Sequence, residues 1–379
     1  MSTNSNPFSF GGIVGDAGFC NRTRELRDLT EIMTSAGRCF VYAERRMGKT
    51  SLVLRALRKL PKKEFLPVYV DLWPTDGSVS FATAMARAVS EAAETKTSRL
   101  LSLAKNFFGQ LRPSVSLNDE GKPNLEFGLD QRSLTKKELT DVLNAPQAIA
   151  TRLGRRVVVV FDEFQQIADF EDDLTERQLR SSTQQHSDVA YLFLGSRKHL
   201  LQSMFLDKAR PLYRSAAHYP IGAIEAKHWV PFISRRFQKA DKAFPKDLIR
   251  DLCSRTEGHP FYTQHLCSLV WSMTEKNGQV TEDSLTKSVE TLLARESHAY
   301  VTLWETLTKN EQRMLRGLAA ATSLPKPFSA DFTRSTGLRS ASNAQRAAES
   351  LLSKDVIDRE QSSFVITDRF LRLWIQRMS

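Results

Sequence analysis

Apolar positions along this chain come in two rhythms. Cys39 to Tyr42 is a compact apolar and aromatic run that reads as a buried strand, and from Ser51 onward Leu52, Val53, Ala56, Leu57 and Leu60 recur at helical spacing. Four more strand patterns follow: residues 65–73, where Pro67 marks a strand start or a sheet edge, then 155–162, 190–198 and 218–224. Helical patterns alternate with them, carried by Leu26, Leu29 and Ile32, by the Ala-rich stretch 80–112 and by residues 135–153. Five strands joined by helices predict a parallel α/β sheet with right-handed connections. Residues 113–131 interrupt the alternation. Val115 and Leu117, then Leu125 and Phe127, flank Asn118-Asp119-Glu120-Gly121, the pattern of an inserted β-hairpin.

Beyond residue 226 the strand rhythm stops. Residues 227–299 read as helices, broken where Gly258 and Pro260 end one and start the next, with another beginning at Thr281. Thr308 and Glu311 then form a capping box ahead of Met314, Leu315 and Leu318. A short helix (329–335) ends near Gly337, and a longer one (341–354) buries Ala344, Ala348, Leu351 and Leu352. Val356-Ile357 and Phe364–Ile366 flank a polar turn, so helices followed by a two-stranded wing predict a winged helix-turn-helix. The organisation expected is an N-terminal arm (1–18), an α/β domain (19–225), a helical lid (226–300) and the winged helix (301–379).

Candidate chemistry gathers where strands end. The strand closing at Ala43 gives way to Glu44, Arg45, Arg46, Met47, Gly48, Lys49 and Thr50, and a helix follows from Ser51. Strand, tight turn, Gly-Lys-Thr and helix is the layout of a phosphate-binding loop. Unpaired N–H groups at a helix start attract phosphate oxygens; Lys49 would reach the β- and γ-phosphates, and Thr50 would ligate Mg²⁺. The motif asks for Gly where Ala43 stands, and if that backbone needs a positive φ the methyl costs about 1–2 kcal/mol. The strand at 157–161 ends in Asp162-Glu163, adjacent acids that are expensive to bury unpaired and that a bound Mg²⁺ would satisfy. Ser196-Arg197 close the strand after it, and all three clusters fall at the strand ends where ligands bind in such sheets.

Charge and composition narrow the class. A formal net charge of +11 across 379 residues favours polyanionic partners, nucleic acid first. Residues 301–379 carry 12 Lys or Arg against 8 Asp or Glu. Ser342, Asn343, Gln345 and Arg346 would face outward on the third helix of the winged unit and suit base edges or phosphates. Duplex DNA bound through residues 301–379 is therefore one expected partner, with a partner protein or a second copy of the chain as the alternative. No apolar run approaches 18 residues, so no membrane partner is expected. Cys20, Cys39, Cys253 and Cys267 show no pairing pattern, and with no leader-like N-terminus the expected compartment is the cytoplasm.

Together these residues resemble the archaeal-type ATPase family, a branch of the AAA+/STAND P-loop NTPases. The similar stretches are FCNRTREL (19–26), RRMGKTSL (45–52), VVVVFDEFQQI (157–167), LFLGSRKHL (192–200), EGHPFYTQ (257–264) and TDRFLRLW (367–374). Such a resemblance implies a five-stranded ASCE/AAA+-like P-loop sheet, a helical lid and a C-terminal winged helix. It implies ATP and Mg²⁺ as cofactors, with Ala43–Ser51 as the Walker A segment. Asp162 would order the magnesium shell and Glu163 would polarise the attacking water. Ser196 and Arg197 would take the sensor-1 place near the γ-phosphate. Gly258, His259 and Pro260 would meet the nucleotide from the lid, and Asn21 and Arg22 would pass near the adenine. Arg214 is a candidate arginine finger towards a neighbouring subunit, with a plain surface arginine as the alternative. Two functions stay open at this point: an ATP-hydrolysing switch coupled to DNA or protein binding, and a module that holds ATP as a structural staple with negligible turnover.

Overall fold

The computed structural model describes residues 5–93, 97–117, 123–128, 134–360 and 362–378. By packing, the described chain forms two compact units, one of residues 23–43 and 49–221, the other of 1–22, 44–48 and 222–379.

The first unit is built on a parallel sheet. Its elements run α1 (Thr23–Thr34), β1 (Arg38–Ala43), α2 (Lys49–Lys59), β2 (Phe65–Asp71), α3 (Ser78–Ala93), α4 (Thr97–Phe108), β3 (Pro113–Leu117), β4 (Pro123–Phe127), α5 (Lys136–Leu153), β5 (Arg156–Asp162), α6 (Leu174–Gln185), β6 (Val189–Gly195), α7 (Lys198–Leu206) and β7 (Ala217–Ile221). Five of the strands lie in the order β2-β5-β6-β1-β7, all parallel. Central strands must be apolar on both faces, and Val157–Phe161 of β5 and Val189–Leu194 of β6 are all buried. Pro67 lies inside β2, an edge strand, where the missing N–H breaks no ladder on the open side. The Ala-rich stretch is two helices, α3 and α4. β3 and β4 pair antiparallel with Val115 opposite Leu125, as the alternation predicts, and the turn at 118–122 lies outside the described residues.

The order of strands explains where the polar clusters meet. β6 separates β1 from β5, so the ends of β1, β6 and β5 deliver Lys49, Ser196 and Asp162 to one rim of the sheet.

The second unit follows as α8 (Ala226–Gln238), α9 (Lys246–Arg255), α10 (Pro260–Met273), α11 (Glu282–Thr306), α12 (Lys309–Ala320), α13 (Ala330–Thr336), α14 (Ala341–Ser353), β8 (Ile357–Glu360), β9 (Ser363–Ile366) and α15 (Arg369–Met378). α11 runs unbroken through residue 300, and one continuous core extends from Trp229 and Ile233 through Leu292 to Leu351 and Ile375. The N-terminal arm joins that core. Phe8 is buried against Phe232 and Phe237, and the Asn6 amide donates to the Ser268 carbonyl (2.8 Å). The helix-helix-wing order of the last eighty residues is as the capping and apolar pattern predict. Among the described residues no helix is long and apolar enough to cross a membrane.

The capping box at Thr308 does more than start α12. Glu311 accepts from the Thr308 amide (2.6 Å), the Ser350 hydroxyl (2.6 Å) and the Lys354 ammonium (2.7 Å), tying α12 to α14. Burial would raise its pKa, but Lys354 and the hydroxyl and amide donors hold the carboxyl at about 2. A carboxyl depressed on folding stabilises the folded state above its unfolded pKa, near 4.3, and that contribution is lost as pH falls towards about 2. Glu311→Gln is therefore expected to cost the winged helix about 2–3 kcal/mol at pH 7 and to flatten its acid unfolding limb. Thermal melts from pH 7 to pH 2, followed by circular dichroism, check both effects. An unchanged acid limb would remove Glu311 as its cause.

Candidate functional site

Asp162 is the hub of the first unit's polar cluster. It is the last residue of β5, 4% exposed, and its side-chain donors come from other elements, α2 and β2. Lys49, at the start of α2, gives its ammonium to Asp162 Oδ1; Thr50 Oγ1 and the Tyr69 phenol both donate to Oδ2 at 2.6 Å. Burial alone would raise the Asp162 pKa, yet the Lys49 charge and these hydrogen bonds hold it below the usual carboxylate range. Tyr69 moves the other way: burial, then the neighbouring Asp162 charge, raises its phenol well above its ordinary value, so it stays a donor.

Glu163 follows in a left-handed conformation (φ +52°), which turns its side chain off the strand direction. Its Oε2 accepts from Ser196 Oγ (2.9 Å) and from the Gln165 amide (2.5 Å), while Oε1 lies 3.6 Å from the Lys49 ammonium. Lys49 thus stands between two carboxylates on adjacent residues. One carboxylate oxygen and one hydroxyl converging at hydrogen-bond distance form the hard-oxygen donor set that Mg²⁺ takes, with further positions left for water and phosphate. Thr50 and Asp162 therefore fit the ion.

The loop between β1 and α2 answers the question raised by Ala43. Ala43 lies in β1, paired in parallel register with Ile221, and is fully buried. The left-handed residues of the loop are Arg46 (φ +62°) and Gly48 (φ +84°). The methyl of Ala43 thus meets no left-handed penalty, and the glycine that needs its freedom is Gly48. A backbone bond from Met47 N to Glu44 O (3.2 Å) closes the turn; Met47, Lys49 and Ser51 are buried, whereas Arg45 and Arg46 are exposed.

Residues 44–48 pack with the second unit. His259 Nε2 lies 3.1 Å from the Arg45 carbonyl oxygen, and His259 is fully buried, its pKa pushed down to about 3 by burial and then by the Arg369 charge. A neutral ring with Nε2–H donates to that carbonyl. Gly258 (φ +64°) is required for a steric reason: a Cβ there would run into the Ile224 carbonyl oxygen. Pro260 begins α10 at the position where a missing N–H costs nothing. Asn21 and Arg22 are both left-handed (φ +54° and +72°), and Arg22 is buried with its guanidinium donating to the Gly222 carbonyl (2.6 Å).

Further predicted site residues lie nearer the solvent. Arg197 is exposed at the N-cap of α7, and Arg214 is exposed with its guanidinium 5.2 Å from the Tyr213 ring centroid. On α14, Ser342, Gln345 and Arg346 are exposed and Asn343 is half-buried. Sequence reasoning missed Tyr69 and Gln165, because a tyrosine in a strand and a glutamine in a short 3₁₀ turn look like core and loop. The available signal was Tyr69's alternation with Asp71, two residues on, in the strand that pairs with β5.

Comparison with known proteins agrees with the fold. Residues 19–266 match the family model described as "ATPase domain predominantly from Archaea", and residues 298–377 match a "Probable winged helix domain". Among solved structures, the chain is similar to a Walker-type ATPase of Pyrococcus abyssi, with a TM-score of 0.62 and 15% identity over 95% of this chain and 97% of that one. It is also similar to the ORC2 protein of Aeropyrum pernix, solved as ADPNP–ADP complexes, with a TM-score of 0.52 and 15% identity over 94% and 95% of the two chains. At these identities the likeness is one of fold. No curated protein matches the chain in sequence.

Proposed function

The chain belongs to the family of ATPases predominantly from Archaea, and on that premise we propose that it is a Mg²⁺-dependent ATP-hydrolysing switch whose winged helix engages duplex DNA. The observation that carries the reading is Asp162 gathering Lys49, Thr50 and Tyr69 at the rim of a parallel sheet, with Glu163 beside it.

Phosphoryl transfer asks the protein mainly to position the reactants and to spread developing charge. Lys49 exchanges its bond to Asp162 for one to a phosphate oxygen and supplies positive charge there. Asp162 and Thr50 would hold Mg²⁺, which would supply further positive charge to the phosphates when bound. Tyr69 keeps the Asp162 carboxylate oriented. Glu163 holds the attacking water, and Ser196 and Gln165 fix the carboxylate that does so. Arg197 adds charge towards the γ-phosphate. To nucleotide binding we also assign Asn21, Arg22 and Gly258–Pro260, with His259 holding the Arg45 carbonyl of the phosphate loop. Ala43–Ser51 frame the phosphates as a whole.

The surplus of positive charge and the exposed Ser342, Gln345 and Arg346 on α14 support DNA as the winged helix's partner. Arg214 reaching a second copy would make the switch oligomeric. Two measurements test the reading. Calorimetry with Mg·ATP should register a single site, and phosphate release should follow. Fluorescence anisotropy with duplex DNA should show affinity falling steeply between 50 and 200 mM salt, as phosphate contacts require; a flat dependence would leave a partner protein as the winged helix's ligand.

A further inference from the structure

Three consecutive residues of the phosphate loop, Glu44, Arg45 and Arg46, are fastened to two elements of the second unit, α15 and the head of α10. Glu44 pairs with the Arg369 guanidinium (2.7 Å), the first residue of α15 in the winged helix. The Arg45 carbonyl meets His259 at the head of α10, and the Arg46 guanidinium sits 4.4 Å from the Phe261 ring centroid. Phe261 in turn contacts Phe10 of the N-terminal arm and His265.

The Glu44 contact is the unusual one. A carboxylate in a loop that must hold polyphosphate repels its ligand unless something neutralises it. Arg369 does so from a buried position, 5% exposed, while its Nε lies 2.8 Å from Glu257, and Glu257 is shared with Arg372. Two acids and two arginines form a charge-balanced group linking loop, lid and winged helix. Burial would lower the Arg369 pKa, and Glu44 and Glu257 hold it raised. A buried ion pair is a weak source of stability, because desolvation cancels most of the attraction, whereas removing one partner is costly. Such a group suits a two-position element better than a permanent strut.

We propose that Arg369 is a positioning residue for the phosphate loop: by neutralising and anchoring Glu44 it lets the loop accept a nucleotide, and it makes nucleotide affinity depend on what the winged helix binds. The inference rests on residues 43–51 being the nucleotide site. It assigns no contact between Arg369 and the nucleotide itself.

Linkage requires the coupling to run both ways, so the wild-type chain offers the first test. Hydrogen exchange is followed in two peptides, 44–51 and 366–372, with and without Mg·ATP. Both should change, the second by at least twofold. If 44–51 is unaffected, the nucleotide reading and this inference fall together. If 44–51 is protected and 366–372 is not, only the coupling falls.

Variants give the second test. Arg369→Gln is expected to weaken Mg·ATP binding about tenfold, because the Glu44 charge then faces the phosphates without its partner. Adding Glu44→Gln in that background should restore most of the loss, and Arg369→Lys should fall between. Since Arg369 also donates to the Ile366 and Thr367 carbonyls, a general unfolding effect would not be relieved by changing Glu44. Unaltered affinity in Arg369→Gln, tighter binding, or a loss that Glu44→Gln leaves in place would each overturn the proposal.

Discussion

Glu163→Gln is expected to stop phosphate release while Mg·ATP stays bound. The amide has the size and one acceptor oxygen of the carboxylate, so the bonds from Ser196 and Gln165 keep a partner. What disappears is the negative charge that polarises water, a contribution of about 10²–10⁴ in rate. Lys49 and its counter-ion Asp162 are untouched, so the charge that meets phosphate survives and the dissociation constant should stay within about threefold of wild type by the same argument. Single-turnover phosphate release and calorimetry separate the two quantities. If wild type releases phosphate no faster than the variant, ATP is a staple in this protein rather than a fuel.

Lys49→Met should have the larger overall effect, because it removes both a ligand contact and an internal counter-ion. Loss of a charge-assisted bond to phosphate is worth about 2–3 kcal/mol, or roughly a hundredfold in affinity. Asp162 is left buried with the Thr50 and Tyr69 hydroxyls and the Glu163 amide (2.9 Å) as donors but without its cation. Stripping a buried pair of one member typically costs 3–5 kcal/mol, and the three remaining donors reduce this to about 1–3 kcal/mol. The pH dependence has a definite sign. Asp162 is depressed on folding, so its contribution is present above an unfolded pKa of about 3.9 and is lost as pH falls through the lower folded value. Without Lys49 the folded value rises and this acid-sensitive contribution shrinks. Asp162→Asn added to Lys49→Met should recover stability and leave binding no tighter than in Lys49→Met. Melting curves with and without Mg·ATP check both arms; full ATP turnover in Lys49→Met would sink the site assignment.

The legible parts of the site were those with a local signature. Gly48-Lys49-Thr50 after an apolar strand, and two acids after four valines and a phenylalanine, declare themselves because strand, turn and helix start are set by neighbouring residues. Tyr69 and Gln165 had no such signature. Their role comes from β2 lying beside β5 and from a single 3₁₀ turn, both set by packing. Ala43 shows the converse. Its departure from the motif looks expensive in one dimension and is harmless in three, since the backbone there is an extended strand.

By itself the amino-acid sequence determined the alternation of strands and helices, the winged helix with its Thr308–Glu311 box, and the residues to which we assign the chemistry. Each of these depends on periodicity or capping within a few residues. Only the tertiary structure decided that β6 separates β1 from β5, that lid and winged helix share one core with the N-terminal arm, and that Arg369 meets Glu44 from 325 positions away. Those are long-range pairings, in which burial chooses among partners that local propensity leaves equivalent.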